Sequence, residues 1–164
     1  MITFENVTGL NDVEKIAFKK SLKEFCRSHL AERIQQVIQK INEAMEQSES
    51  EEKRSAGDKY ETGRAMSHLE NEMHGTQLSK LKEDLAHLEQ VNVERICEQV
   101  EAGAFLFCSR HGVFVAAGLG KIKFQEKDIL FISISAPLGR LLQGKKRGDN
   151  FLLGGQEEKI ESLF

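Results

Sequence analysis

The sequence predicts an α+β fold in two parts, a long helical hairpin followed by a small sheet domain, and three observations predict it. Between Asn11 and Asn92 there are only three glycines (Gly57, Gly63, Gly75) and no proline, whereas glycine becomes frequent after Gly103. Apolar residues recur at three- and four-residue steps before Asn92, which is the helical period, and in short runs after Glu101, which is the strand pattern. Charged residues make up 30% and hydrophobic residues 40% of the 164, with a single proline, a balance suited to long water-washed helices.

The first helix is predicted over roughly 12–52, where Leu22, Cys26, Leu30, Ile34, Val37, Ile41 and Ala44 form an apolar stripe. The second, roughly 59–91, carries Met66, Leu69, Met73, Leu78, Leu81, Leu85 and Leu88, with charged residues on the other face. Each stripe is narrow, close to a two-per-heptad seam, so each helix needs another narrow stripe beside it. The short Ser-Ala-Gly-Asp break makes the two helices each other's partners in an antiparallel hairpin whose tip lies near 50–61. At the α-helical rise the shorter arm would be about 45 Å long, so the hairpin is expected to project.

From Glu101 onward the runs AFLFCS, VFVAAG, KIKF, ILFISIS and FLLGG read as strands. Within them APLGRLLQG reads as one short helix, with Pro137 suited to its first turn and Gly144 just past its end. A region of this size can just form a core of its own. The expected boundary is near Val93, giving a hairpin over 1–93 and a sheet domain over 94–164. From Val93 onward there are 10 basic against 9 acidic residues, which leaves 13 against 17 before it, so the acidic excess sits on the hairpin.

A net charge of −3 excludes a protein held to nucleic acid or membrane by overall charge. Cys26, Cys97 and Cys108 are odd in number and too widely spaced for a zinc knuckle or a redox pair, so they are expected as reduced core thiols. No apolar run reaches the length of a membrane span and no secretion signal opens the chain, which predicts a cytoplasmic protein. The histidines at 29, 68, 74, 87 and 111 include no pair four apart for a helical zinc site. Gly139 to Lys146 nearly matches a phosphate-binding loop, but Lys146 replaces the hydroxyl residue that should bind Mg²⁺, and Leu141 and Leu142 belong on a helix. Arg147-Gly148-Asp149 reads as a turn, and no Gly-x-Ser-x-Gly elbow is present.

The predicted tip reads SAGDKYETGR, and Asp58 and Glu61 stand three residues apart at the start of the second helix. In one reading they form a capping box, each side chain accepting from the other's backbone N–H. In the other they present a pair of carboxylates to Mg²⁺, an ion commonly held by one or two carboxylates plus waters and phosphates. Such a pair would bind weakly alone and would become useful only in another protein's site, where further ligands wait. Lys53, Arg54, Lys59 and Arg64 flank the acids and could face an RNA backbone, or could be solvated helix-end charge.

The run Gly57-Asp58-Lys59-Tyr60-Glu61, between two long helices, resembles the coiled-coil tip of the Gre-type bacterial transcript cleavage factors. ISISAPLGRLLQGKKRGDNF, residues 132–151, is similar to that family's C-terminal signature of Ser-x-Pro-Leu-Gly, a short helix, Gly-Lys and Gly-Asp. The resemblance covers about residues 12–164 and implies an FKBP-like C-terminal domain with an antiparallel sheet. It further implies an accessory factor of RNA polymerase, not an independent enzyme, whose hairpin enters the secondary channel to meet the 3′ end of the nascent RNA. Asp58 and Glu61 would there help hold a shared Mg²⁺ for hydrolysis of backtracked transcript. Pro137, Leu138, Gly139, Arg140, Lys145 and Lys146 lie in the signature and would dock at the channel rim. The family usually follows its tip Glu with Asn-Ala-Glu-Tyr, whereas this chain has Thr62-Gly63-Arg64-Ala65 and places its aromatic at Tyr60. Inhibitory relatives share the architecture, so a channel-binding inhibitor and a non-catalytic protein–protein adaptor remain alternatives. A monomer is expected, with dimerisation through the hairpin left open. Prolyl isomerase activity is not expected, because the second domain has no Trp or Tyr and its Phe residues alternate as strand core.

Overall fold

The computed structural model describes residues 9–52, 59–109 and 111–164, and at 51, 52 and 59–62 the backbone alone. The elements run α1 (Asp12–Glu52), α2 (Lys59–Gln90), β1 (Phe105–Cys108), β2 (Gly112–Val115), β3 (Gly120–Phe124), β4 (Lys127–Ile132), α3 (Pro137–Leu142), β5 (Asn150–Leu153) and β6 (Gln156–Leu163). Two compact units result, one of residues 1–27 with 87–164 and one of residues 28–86. Two long helices that pack together and a mixed sheet with one short helix make up the architecture.

In the first unit α1 starts on a capping box: the Asn11 N–H donates to Glu14 Oε2 and the Glu14 N–H to Asn11 Oδ1, each at 2.9 Å. The strands form one six-stranded sheet in the order β3-β4-β2-β1-β6-β5. Alternation sends the side chains of each strand to two faces, and each face has its own helix. On one face Phe105, Phe124, Phe131 and Phe164 meet the first turns of α1. Phe18 stacks edge-on to Phe105 at 5.0 Å, and Phe25 lies 5.3 Å from Phe124 and 5.5 Å from Phe131. Leu106, Cys108, Val113, Val115, Phe151 and Ile160 on the other face form a core closed by Leu142, with Leu138 packed against it, both from α3.

The sheet is not antiparallel throughout as expected. Val113↔Leu130 and Phe114↔Phe131 are parallel pairs, because β4 returns beside β2 while β3 folds back on the outer side of β4. Edge strand β3 carries Lys121 and Lys123, charges that discourage pairing with another chain. Two of the sheet's hairpins, β3–β4 and β5–β6, turn on two residues of positive φ, the mirror-image geometry that matches strand twist. One uses Gly154 and Gly155, while the other forces Gln125 (φ 47°) and Glu126 (φ 66°) into the same region.

Helix α3 opens with Pro137 in its first turn, where a missing N–H costs nothing, behind the extended residue Ala136. Gly139 is buried because the preceding loop crosses it: a Cβ there would lie 2.2 Å from the Ser133 carbonyl oxygen and 2.7 Å from that of Ile134. The helix ends as Gly144, at φ +79°, donates to the Val100 carbonyl and returns the chain to the sheet.

In the second unit Leu30, Ile34 and Val37 of α1 and Leu81 of α2 are buried, and Leu78 and Leu85 are half-buried. The α2 stripe breaks at its distal end, contrary to expectation: Met66, Leu69 and Met73 are 63%, 58% and 64% exposed. Five residues separate Met73 from Leu78, a turn of about 140° around a helix of 3.6 residues per turn. The leucines set the phase, so Ser67, Asn71 and His74 continue the half-buried row at heptad spacing and the methionines face water. Asn71 Oδ1 is buried there with no partner among the described residues.

Two stability outcomes follow from these backbone constraints. Gly139→Ala should lose about 3 kcal/mol in urea denaturation, since backbone oxygens cannot yield as a flexible side chain can. Replacing Gln125 by Asn and Glu126 by Gly should instead raise stability by about 1 kcal/mol, both residues being better suited to positive φ. An unchanged or lowered urea midpoint would refute strain at this turn.

Candidate functional site

The expected tip carboxylates fall where the fold is least described. Asp58, Lys53 and Arg54 lie outside the described residues, while Glu61 and Lys59 belong to the first turn of α2 with side chains outside them. Arg64 is exposed on the following turn, and Gly63 sits in the helix with open space around its α-carbon.

The C-terminal signature is fully described, and its residues divide by role. Gly139 is buried against the loop backbone and Leu138 packs on the sheet core, so these two build the fold. Pro137 is exposed at the helix start and Arg140 is exposed on α3, beside Leu141 at 49% exposure. Lys145 is half-buried, its carbonyl accepting from the Val100 N–H at 2.8 Å. Lys146 and Arg147 are exposed in a turn closed by the Asp149 N–H on the Lys146 carbonyl, with the Lys146 N–H bound to Asp149 Oδ2 at 2.8 Å. The Arg-Gly-Asp run is thus a turn, as its sequence indicates, and the near-match to a phosphate loop is the helix α3 with its exit. Arg140, Leu141, Lys146 and Arg147 are thus exposed basic and apolar side chains of this segment. Beside the signature a cleft of 470 Å³ opens between His87, Arg95, Ala102, Ala116 and the Ser133–Ser135 loop.

Sequence reading missed the lysines that fasten α1. Lys19 is wholly buried, and its ammonium donates to the Arg95 carbonyl at 2.5 Å and contacts Cys97 Sγ at 3.8 Å. Burial holds its pKa below the ordinary 10.5. One turn on, Lys23 Nζ donates to the carbonyls of Glu89 (2.9 Å) and Val91 (2.8 Å), supplying partners that the end of α2 lacks internally. Arg27 holds Glu89 through two N–H donors at 2.6 and 2.8 Å, and that hydrogen bonding draws the Glu89 carboxyl below its usual range. The available signal was the apolar stripe itself, which extends upstream through Phe18 and takes Lys19 with it. Cys26, Cys97 and Cys108 are free and buried, as expected of core thiols. Burial pushes Cys26 and Cys108 up to about 12.

No protein-family model and no curated protein matches the chain. The crystal structure of GreA factor homolog 1 (Gfh1) of Thermus thermophilus is similar over 84% of this chain and 94% of that one, at 15% identity and a TM-score of 0.34. Among the described residues no helix is long and apolar enough to cross a membrane.

Lys19 gives a pH signature. Its folded pKa lies below 10.5, so just below that value the unfolded chain binds the proton that the folded chain has released. Stability then rises with pH through this alkaline window. Urea midpoints measured across it should climb more steeply for the wild type than for Lys19→Met, and equal slopes would show that Lys19 remains an ordinary ammonium in the fold.

Proposed function

We propose that the protein is a Gre-type accessory regulator that binds RNA polymerase, with the helical hairpin entering the secondary channel and the sheet domain docking at its rim. The observation that carries this reading is the C-terminal signature after two long helices. Ser135-Ala-Pro137-Leu138-Gly139 opens a short helix at Pro137, and Gly139 occupies a place where any side chain would strike the loop. The exposed Arg140, Leu141, Lys146 and Arg147 supply a surface of the kind an acidic, partly apolar rim would accept.

The regulatory form favoured here is channel occupancy without chemistry of its own. Gly63, Tyr60 and the absent Asn-Ala-Glu-Tyr run depart from the cleavage factors at the turn that would have to orient the acids. A helix-interior glycine also costs about 1 kcal/mol relative to alanine, which loosens that turn. A second reading rests on the three-residue spacing of Asp58 and Glu61: they complete a Mg²⁺ site within the polymerase and stimulate hydrolysis of backtracked RNA. Lys53, Arg54, Lys59 and Arg64 would then face the RNA, and any Mg²⁺ would be shared with the polymerase.

Cognate RNA polymerase stalled on a backtracked, end-labelled transcript separates these forms. The regulator is expected to bind and slow nucleotide addition without increasing cleavage, and Arg140→Glu with Lys146→Glu should weaken binding about tenfold, roughly two lost contacts of an exposed charged surface. Cleavage that is stimulated by wild type and lost in Asp58→Asn/Glu61→Gln would establish the metal-presenting form instead. Absence of binding would overturn both and leave the adaptor.

A further inference from the structure

The polymerase reading makes no use of the buried amine and thiol in the first unit. Lys19 Nζ and Cys97 Sγ meet at 3.8 Å where α1 crosses the connector that follows α2. Neither group is required there as a charge. An apolar residue would fill the Lys19 position among Phe18, Leu22 and the sheet face, yet the chain buries a full ammonium-bearing stem to reach this sulfur and the Arg95 carbonyl. Next to the pair Arg95 and Glu101 form a 2.9 Å ion pair whose side chains are 57% and 32% exposed.

We propose that Lys19 and Cys97 are a modification site at which oxidation by hydrogen peroxide links Nζ to Sγ covalently through one oxygen atom, fastening α1 to the connector. The link is local to the first unit and independent of any partner. Desolvation favours the neutral amine of Lys19, the nucleophilic form. Burial and the Glu101 carboxylate push the Cys97 thiol up against the pull of Lys19 and Arg95, so the first oxidation is slow and needs an excess of peroxide.

The atoms balance over two equivalents of peroxide. The Cys97 thiolate attacks one peroxide oxygen; an S–O bond forms, the O–O bond breaks, and water leaves with the proton that the thiol gave up, producing the sulfenic acid. The second peroxide displaces water from that sulfenic acid to give S–O–O–H. The Lys19 nitrogen lone pair then attacks the sulfur-bound oxygen, the O–O bond breaks, and the departing hydroxide takes an amine proton to leave as water. Sulfur and nitrogen are each oxidised by two electrons, two peroxides are reduced, and three waters are produced. The four-carbon stem of lysine lets Nζ close the remaining distance.

The full chain, reduced and then exposed to hydrogen peroxide, should be digested with a glutamate-specific protease and analysed by mass spectrometry. The expected product joins the Lys19 and Cys97 peptides with one oxygen more and two hydrogens fewer than their sum. Dithiothreitol should dissolve it, and it should be absent from Lys19→Met and Cys97→Ala. Cys26 and Cys108 serve as internal references, being buried thiols expected to stay unmodified in the same sample. A wild-type protein whose Cys97 carries only sulfinic or sulfonic acid, or whose two peptides stay separate, overturns the proposal without recourse to any variant. Polymerase binding is not read in this experiment, so its failure and the failure of the regulatory reading are distinguishable.

Discussion

The first turns of α1 against the phenylalanine face of the sheet are the contact on which the rest depends. A helix with a narrow apolar stripe cannot stand alone in water, because most of its stability comes from tertiary packing. Phe18 and Phe25, seven residues apart, present two rings on one side of α1, and Phe105, Phe124, Phe131 and Phe164 receive them. Full burial of an aromatic side chain is worth about 2 kcal/mol and aromatic pairs add to it, so this one face anchors the start of a 41-residue helix. Farther along, the same helix turns its stripe to α2, where Leu30, Ile34 and Val37 are buried.

That anchoring explains the cluster of cations around it. Once α1 lies on the sheet, the end of α2 and the connector after it pass close to its flank, and their carbonyl groups need donors. Lys19 serves the Arg95 carbonyl, Lys23 those of Glu89 and Val91, and Arg27 the Glu89 carboxylate. The three are spaced four apart, one helical turn each, so they share one edge of α1, and Lys20 beside them pairs with Glu94 of the connector at 2.8 Å. Lys23 and Arg27 suit this edge for two reasons: their stems cover apolar surface, and their heads complement the negative end of the α2 dipole.

The sequence made the elements legible where composition and period agree. Both long helices, the strand-rich second half, the short helix at Pro137 and the burial of three cysteines all follow from residues close together in the chain. Two features were not legible because they depend on distant partners. The parallel pairing of β2 with β4 is a matter of which strand returns beside which, and nothing local in VFVAAG or ILFISIS distinguishes it. The outward turn of Met66, Leu69 and Met73 was signalled only by the five-residue step to Leu78, a phase break that counting apolar residues conceals. Of the candidate site, the signature around Pro137 could be read in the sequence but its division of labour could not. Asp58 and Glu61 rest on spacing alone.

That division of labour decides how much the signature can say about a partner. A residue such as Gly139 is fixed by the 2.2 Å approach of a carbonyl oxygen, so it would be retained in any protein that builds this loop, whatever it binds. Leu138, packed on the core, carries the same kind of information. In the proposed regulator, partner specificity would instead reside in residues that the fold leaves free to vary: Arg140 and Leu141, exposed on α3, and Lys146 and Arg147 in the turn after it. Their charge and exposure are compatible with several acidic surfaces, and only their substitution can select among them. The fold signature and the proposed binding surface occupy the same ten residues but answer to different constraints, one to backbone sterics and one to electrostatics. A related chain could keep every glycine and leucine of this segment and bind a different partner by changing two or three charges.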